Sequence, residues 1–164
     1  MTTTLDNPTK QHRLLFICLG NICRSPAAEG VMQSMVHAAG LDSHFFIDSA
    51  GIGNWHVGQL PDHRMRERGA RRGYRFDSHA RQIRQSDFDD FDLLLVMDSD
   101  NYRIVSSKAP DASSAHKVRM LTDYLTEHKA QSVPDPYYGD LSDFDYALDL
   151  IEDACAGLLE ELCK

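Results

Sequence analysis

No stretch of this 164-residue chain is both long and apolar enough to form a membrane-spanning helix, so no membrane role is expected. The first residues, Met1 to Arg13, lack the apolar core of a signal segment. They read as a short tail, residues 1–12, ahead of one domain at 13–164 in a cytoplasmic protein. Export without a signal peptide stays open. Cysteine is scarce at four residues, with no C-x-x-C pair, and the eight histidines show neither H-E-x-x-H nor any other ligand spacing. No metal and no other cofactor is expected. A Walker A loop, internal repeats and low-complexity linkers are all missing, which leaves nucleotide hydrolysis without support. Positive charge is also short, 17 Lys and Arg against 25 Asp and Glu, and a net charge of −8 argues against nucleic-acid binding.

The composition that remains, 42% hydrophobic and 26% charged, is that of a soluble globular domain able to bury a core. Its charge is uneven. Arg64, Arg66, Arg68, Arg71, Arg72, Arg75, Arg81 and Arg84 crowd the middle, and acids dominate after Ser86. Such a basic middle would either steer acidic substrates or form a solvated helix face.

The informative stretch is Leu14 to Pro26. An apolar run ends at Cys18, a short loop follows, and then come Arg24, Ser25 and Pro26. Beyond Pro26 the apolar residues Ala27, Ala28, Val31, Met32, Met35 and Val36 recur at helical spacing. Strand, loop and helix in this order make an anion cradle, because loop N–H groups and the helix dipole converge on one point. A thiol at the floor of that cradle, facing a guanidinium on its rim, favours its nucleophilic thiolate form. Arg24 offers a planar fork that matches two phosphate oxygens. Gly20 and Asn21 tolerate the positive φ the loop needs, and Ser25 can donate to the sulfur. Cys18 to Arg24, followed directly by Ser25, is the C-x5-R-S pattern of cysteine-dependent phosphatases.

Strands are expected at 13–18, 44–49, 92–97 and 117–121. Helices are expected from Pro26 to Ala39, Pro61 to Arg72 and Asp100 to Lys108, and from Ser142 onward with Ser142 or Asp143 as cap. A short helical turn at 86–91 and a Gly-rich loop from Ala50 to Gly58, carrying the only tryptophan, complete the reading. Alternating strands and helices imply an α/β fold with a parallel, doubly wound sheet. Its site would lie at the carboxyl ends of the strands, where Cys18, Ser49 and Asp98 fall.

Phosphoryl transfer to a thiolate needs a proton donor for the leaving oxygen. Asp135, held between Pro134 and Pro136, is the candidate, and a nearby dianionic phosphate would favour its protonated form. Trp55, Tyr137 and Tyr138 could wall a slot that grips an aromatic ring. Such a slot admits phosphotyrosine and disfavours the shorter phosphoserine.

These residues resemble the low-molecular-weight protein tyrosine phosphatases. The resemblance runs from Leu14 to Leu162 and rests on CLGNICRSP, on DSAG at 48–51, SHARQI at 78–83, VMD at 96–98 and DPYYG at 135–139. It implies a single-domain, four-stranded parallel sheet of the phosphotyrosine protein phosphatase I type. It also implies a cysteinyl-phosphate mechanism with Cys18 as nucleophile, Arg24 as phosphate clamp and Asp135 as general acid and base. Leu19, Gly20, Asn21, Ile22, Cys23 and Ser25 would bind the phosphate, and Ser49, Glu29, His79 and Asp98 would support the cradle. Cys23 stands where the family's second cysteine can pair reversibly with the nucleophile. The implied partner is a phosphotyrosine-containing protein, with a cognate tyrosine kinase among the candidates, and the implied state is a monomer or weak dimer. A thioredoxin-coupled arsenate reductase shares the fold and cradle, but it needs further redox cysteines in the second half, and none lies between Cys23 and Cys155. A non-catalytic phosphotyrosine-binding module would have lost the nucleophile or the acid, and both are present.

Overall fold

The computed structural model describes residues 11–164. The expected N-terminal tail therefore lies outside the described residues as far as residue 10. His12 already belongs to β1 (His12–Cys18). The other strands are β2 (Phe45–Gly51), β3 (Leu93–Val96) and β4 (Val118–Met120). All pairs are parallel, in the order β2-β1-β3-β4, so β1 is central. The helices are α1 (Arg24–Ala38), α2 (His63–Ala70), α3 (Asp87–Asp90), α4 (Ser99–Lys108), α5 (Ala112–Ala115) and α6 (Leu141–Leu162).

The continuous apolar run of β1 is explained by burial on both faces. Leu14, Phe16 and Cys18 point to one side, with Met32 and Val36 of α1 and Phe144, Leu148 and Ile151 of α6. Leu15 and Ile17 point to the other, against Phe88, Leu94, Val96 and Val105. Each large side chain so buried stabilises the fold by about 1.5–3 kcal/mol. This double packing fixes the strand that carries Cys18.

Several boundaries differ from the sequence expectation, each for a local reason. β2 runs on through Ala50 and Gly51, because the strap at 81–83 adds hydrogen bonds to its end. α2 is shorter than expected, since Asp62 caps it from outside by accepting from the Arg64 N–H. α6 is capped neither by Ser142 nor by Asp143. Asp140 is the cap, and Asp143 closes a capping box by accepting from the Asp140 N–H. Cys155 is fully buried, as core packing requires, but Cys163 is exposed just past the end of α6.

Candidate active site

β1 ends at Cys18 and α1 begins at Arg24, so residues 19–23 must turn the chain. Asn21 makes the turn with φ +58°, the single non-glycine positive φ among the described residues. Around it, Ile52 N–H donates to the Cys18 carbonyl (3.0 Å), Gly53 N–H to Leu19 (2.9 Å) and Asp62 N–H to Ile22 (2.7 Å). Within a planar trans peptide the N–H points opposite its carbonyl. The N–H groups of Leu19, Gly20 and Cys23 are thereby turned the other way, toward the cleft. Glycine at residue 51 eases the close approach of β2 to this loop: a Cβ there would stand 3.0 Å from the Gly20 carbonyl carbon. The first turn of α1 carries no acidic residue, so its positive end is left uncompensated for an incoming anion.

Behind the loop lies a chain of buried side chains. Cys18 Sγ is 3.0 Å from Ser25 Oγ and also accepts from the Ser25 N–H at 3.4 Å. Asn21 Nδ2 donates to Ser25 Oγ (2.8 Å) and Ser49 Oγ (3.0 Å), and Ser49 Oγ donates to Glu29 Oε1 (2.6 Å). Burial pushes the Glu29 carboxyl above the usual range, partly offset by hydrogen bonds from Ser49 and Ser78. Asn21 and Ser25 thus serve from behind and do not line the cleft, whereas Leu19, Gly20, Ile22 and Cys23 do.

Arg24 is 2% exposed, and Nη1 is spent on Asp98 Oδ2 (2.7 Å) and the Val133 carbonyl (2.9 Å). Its Nη2 lies 3.6 Å from Asp135 Oδ2. Burial opposes the charge of Arg24, but Cys18, Asp98 and Asp135 outweigh it, so the guanidinium stays firmly protonated. Asp135 Oδ1 accepts from the Tyr137 N–H at 3.1 Å, which leaves Oδ2 as the oxygen facing the guanidinium. For Cys23, burial followed by the charges of Asp62, Cys18 and Asp135 pushes the thiol strongly up.

These residues surround a cleft of about 320 Å³ floored by Cys18 and walled by Trp55, His56, Tyr137 and Tyr138. His56 is the residue the sequence reading missed. Its ring sits over Gly20, where an added Cβ would meet His56 Cδ2 at 3.1 Å, and Nδ1 bonds Gln59 Oε1 at 3.1 Å. Adjacency to Trp55 was the one signal available. His79, by contrast, is exposed and makes none of the cradle's hydrogen bonds among the described residues, while its neighbours Ser78 and Arg81 do. Half of the basic middle is paired within the fold. Arg68 pairs with Asp145, Arg72 with Asp149 and Glu152, Arg64 with Asp62, and Arg81 with Asp48 and Asp87. These four of the eight arginines are consumed inside the fold, while Arg66, Arg71, Arg75 and Arg84 are exposed. Among the described residues no cluster of His, Cys, Asp or Glu could hold a metal ion.

A parallel α/β sheet with a thiol, a guanidinium and a carboxyl gathered at its strand ends defines a cysteine-dependent phosphatase site. Residues 13–164 match the family model described as low molecular weight phosphotyrosine protein phosphatase, and the chain belongs to that family. A relative from Synechocystis sp. is 49% identical over 152 residues, covering 93% of this chain and 97% of that protein. The low molecular weight protein-tyrosine-phosphatase YfkJ of Bacillus subtilis is 40% identical, covering 92% and 96%. A crystal structure of protein tyrosine phosphatase from Entamoeba histolytica superposes with a TM-score of 0.90 at 43% identity, covering 93% and 97% of the two chains. Nothing favours the arsenate reductase alternative, because Cys155 is buried with its sulfur 3.8 Å from the Ala28 carbonyl and Cys163 ends α6.

Proposed function

We propose that this phosphatase hydrolyses phosphotyrosine on proteins through a cysteinyl-phosphate intermediate. The thiolate of Cys18 attacks phosphorus while the bond to the tyrosine oxygen breaks, and Asp135 Oδ2 gives that oxygen its proton. Water then attacks the phosphocysteine, Asp135 takes the water's proton, and the sulfur leaves as thiolate toward the Ser25 hydroxyl. Arg24 and the loop N–H groups hold the phosphoryl oxygens in both steps. Charge on the equatorial oxygens is met by donors already in place, so no reorganisation is needed at the moment of transfer. One observation carries this reading: Asp135, more than a hundred residues along the chain from the Cys18–Arg24 loop, lines the same cleft as Cys18 and Arg24.

The aromatic walls support an aryl phosphate as substrate, because a phosphate must reach Cys18 past Trp55, His56, Tyr137 and Tyr138. A phosphoserine side chain is too short to bring its phosphate down while its backbone stays outside. A tyrosine kinase acting on the same proteins would be the functional counterpart. The test is turnover of p-nitrophenyl phosphate and of matched phosphotyrosine and phosphoserine peptides by wild type and Cys18→Ser. Turnover confined to the aryl substrates, and lost in Cys18→Ser, is expected. Equal turnover of the phosphoserine peptide would overturn the aromatic-slot reading.

A further inference from the structure

The strap at 80–83 carries a charge pair that the reaction itself does not use. Asp87, at the start of α3, is completely buried. Its carboxylate accepts a two-pronged bond from Arg81, Nη1 to Oδ2 and Nη2 to Oδ1, both 3.0 Å, and a third from the Arg84 N–H at 2.9 Å. Arg81 Nε reaches Asp48 Oδ2 on β2 at 3.1 Å. Asp48 Oδ1 in turn accepts from the Ser49 N–H at 2.8 Å. A planar fork held on two carboxylates leaves the guanidinium one orientation. The backbone of residue 81 is fixed with it, and its carbonyl also accepts from the Gly51 N–H at 2.8 Å.

That backbone meets the cradle at one atom. The Arg81 N–H donates to Asn21 Oδ1 at 3.0 Å. An amide side chain has an acceptor end and a donor end, and this bond decides which way Asn21 faces. With Oδ1 taken by Arg81, both Nδ2 protons go to Ser25 Oγ and Ser49 Oγ. A reversed amide would set NH2 against the Arg81 N–H and an oxygen against both hydroxyls. Ser25 Oγ, already accepting from Asn21, has its own proton to spend on Cys18 Sγ at 3.0 Å or on the Ala50 carbonyl at 3.4 Å. The nearer partner is the sulfur.

We propose that the buried Asp87–Arg81 pair is a positioning device for the nucleophile. By locking the strap, it sets the Asn21 amide and so aims the Ser25 hydroxyl at Cys18. Neither residue lines the cleft. The inference rests on the reading of Cys18 as nucleophile. A role limited to packing would need no charge, since apolar residues of similar volume often serve a buried site as well or better. The directional fork is what a positioning role requires.

The test compares wild type, Asp87→Asn and Arg81→Lys for thermal unfolding, kcat on p-nitrophenyl phosphate, and the pH dependence of Cys18 alkylation by iodoacetamide. In Asp87→Asn the alkylation profile is expected to move about one pH unit to the alkaline side, the size of one hydrogen bond to a charged group. A fall in kcat of roughly tenfold with little change in KM accompanies it. Arg81→Lys, which keeps a charge but not the fork, is expected to shift the profile in the same direction. A folded Asp87→Asn with the wild-type alkylation profile and kcat would overturn the proposal. Should Asp87→Asn be too unstable alone, Arg81→Lys decides by the same two readouts. The double variant with Asn21→Ala separates the routes: if Asp87 acts through Asn21, its effect on alkylation disappears in that background. An undiminished effect there would also overturn the proposal. Alkylation needs no turnover, so it tests this device even if wild type proved inactive on aryl phosphates and the phosphatase reading failed.

Discussion

The floor and the rim of the cleft are built on opposite principles. On and directly behind the floor, Cys18, Asn21, Arg24 and Ser25 are all at most 3% exposed and are tied into the fold by side-chain hydrogen bonds. At the rim, Trp55 is 64% and Tyr138 93% exposed, the first lying on Gly53 and the second edge-on to Tyr137. The physical reason is a division of labour. Developing charge is stabilised most by donors that do not move, whereas a variable polypeptide substrate is best met by surfaces that adapt. The floor is therefore assembled from the whole fold, by strands β1 and β2, helix α1, the strap and the loop at 133–139 that carries Asp135, the acid loop. The rim comes from two loops.

Asp135 stands on the boundary, its side chain 39% exposed yet 3.6 Å from the buried Arg24, and so it tests the division most sharply. Asp135→Asn keeps the shape but cannot give or take the proton, and kcat should fall about 10²–10⁴-fold. The loss should be greatest for phenyl phosphate and smaller for p-nitrophenyl phosphate, whose leaving oxygen needs less protonation. An equal loss on both would place Asp135 with the rim, as a substrate holder. Arg24→Lys probes the floor proper. The point charge survives, but the planar group whose Nη1 holds Asp98 and the Val133 carbonyl while its Nη2 faces Asp135 is lost, and kcat/KM should fall about 10²–10³-fold. Competitive inhibition by inorganic phosphate should weaken in parallel.

How much of this was legible in the sequence follows the same line. The floor was readable because Cys18, Arg24 and Ser25 are spaced within one contiguous loop, and strand and helix periodicity flank it on either side. Asp135 was singled out by its two prolines only together with the Cys18 loop, and the fold brings it to the same cleft. What escaped was decided by distant partners. The sequence shows eight arginines in the middle, but only the fold pairs Arg68 and Arg72 with α6 and Arg81 with Asp87. His56 carried no pattern of its own, because its role depends on lying over Gly20. α5 is a single turn of four residues, too short to show a period.

The segment leading into the acid loop sharpens the comparison, because it is anchored from below although Tyr138 at the loop's tip is exposed. Asp153, buried on α6, accepts from the N–H groups of Thr126 (3.0 Å), Glu127 (3.0 Å) and His128 (2.7 Å), and from Thr126 Oγ1 and His128 Nδ1. Burial works against its charge, but these donors outweigh it and hold the carboxyl well below the usual range. A carboxylate so lowered adds stability above its unfolded value, near 3.9, and loses it as pH falls through that value and below. Asp153→Asn should cost about 1.5–3 kcal/mol at pH 7, read by urea unfolding. The gap between wild type and variant should narrow progressively below about pH 4. A gap that stayed constant down to pH 2 would show that lost packing, not lost charge, is responsible. Activity of the folded variant should remain near wild type, since Val133 keeps its own bonds to Met97 and Arg24.

The smallest effect belongs to Tyr138, and it asks whether the rim selects at all. The ring meets Tyr137 edge-on, centroids 4.9 Å apart, and otherwise faces solvent. Tyr137 is itself fixed by Arg64, whose guanidinium lies 5.5 Å from its ring and donates to its carbonyl at 3.0 Å. Tyr138 is thus the movable half of the pair. One aromatic contact is worth about 0.5–1.5 kcal/mol, so Tyr138→Ala should raise KM for a phosphotyrosine peptide roughly 2- to 10-fold. The same variant should leave kcat unchanged, and KM for p-nitrophenyl phosphate should move less, because the small substrate reaches Cys18 without spanning the rim. A fall in kcat on both substrates would mean that Tyr138 acts on the Asp135 loop, which it follows by three residues. In that case the boundary between floor and rim runs through Tyr137, not above it.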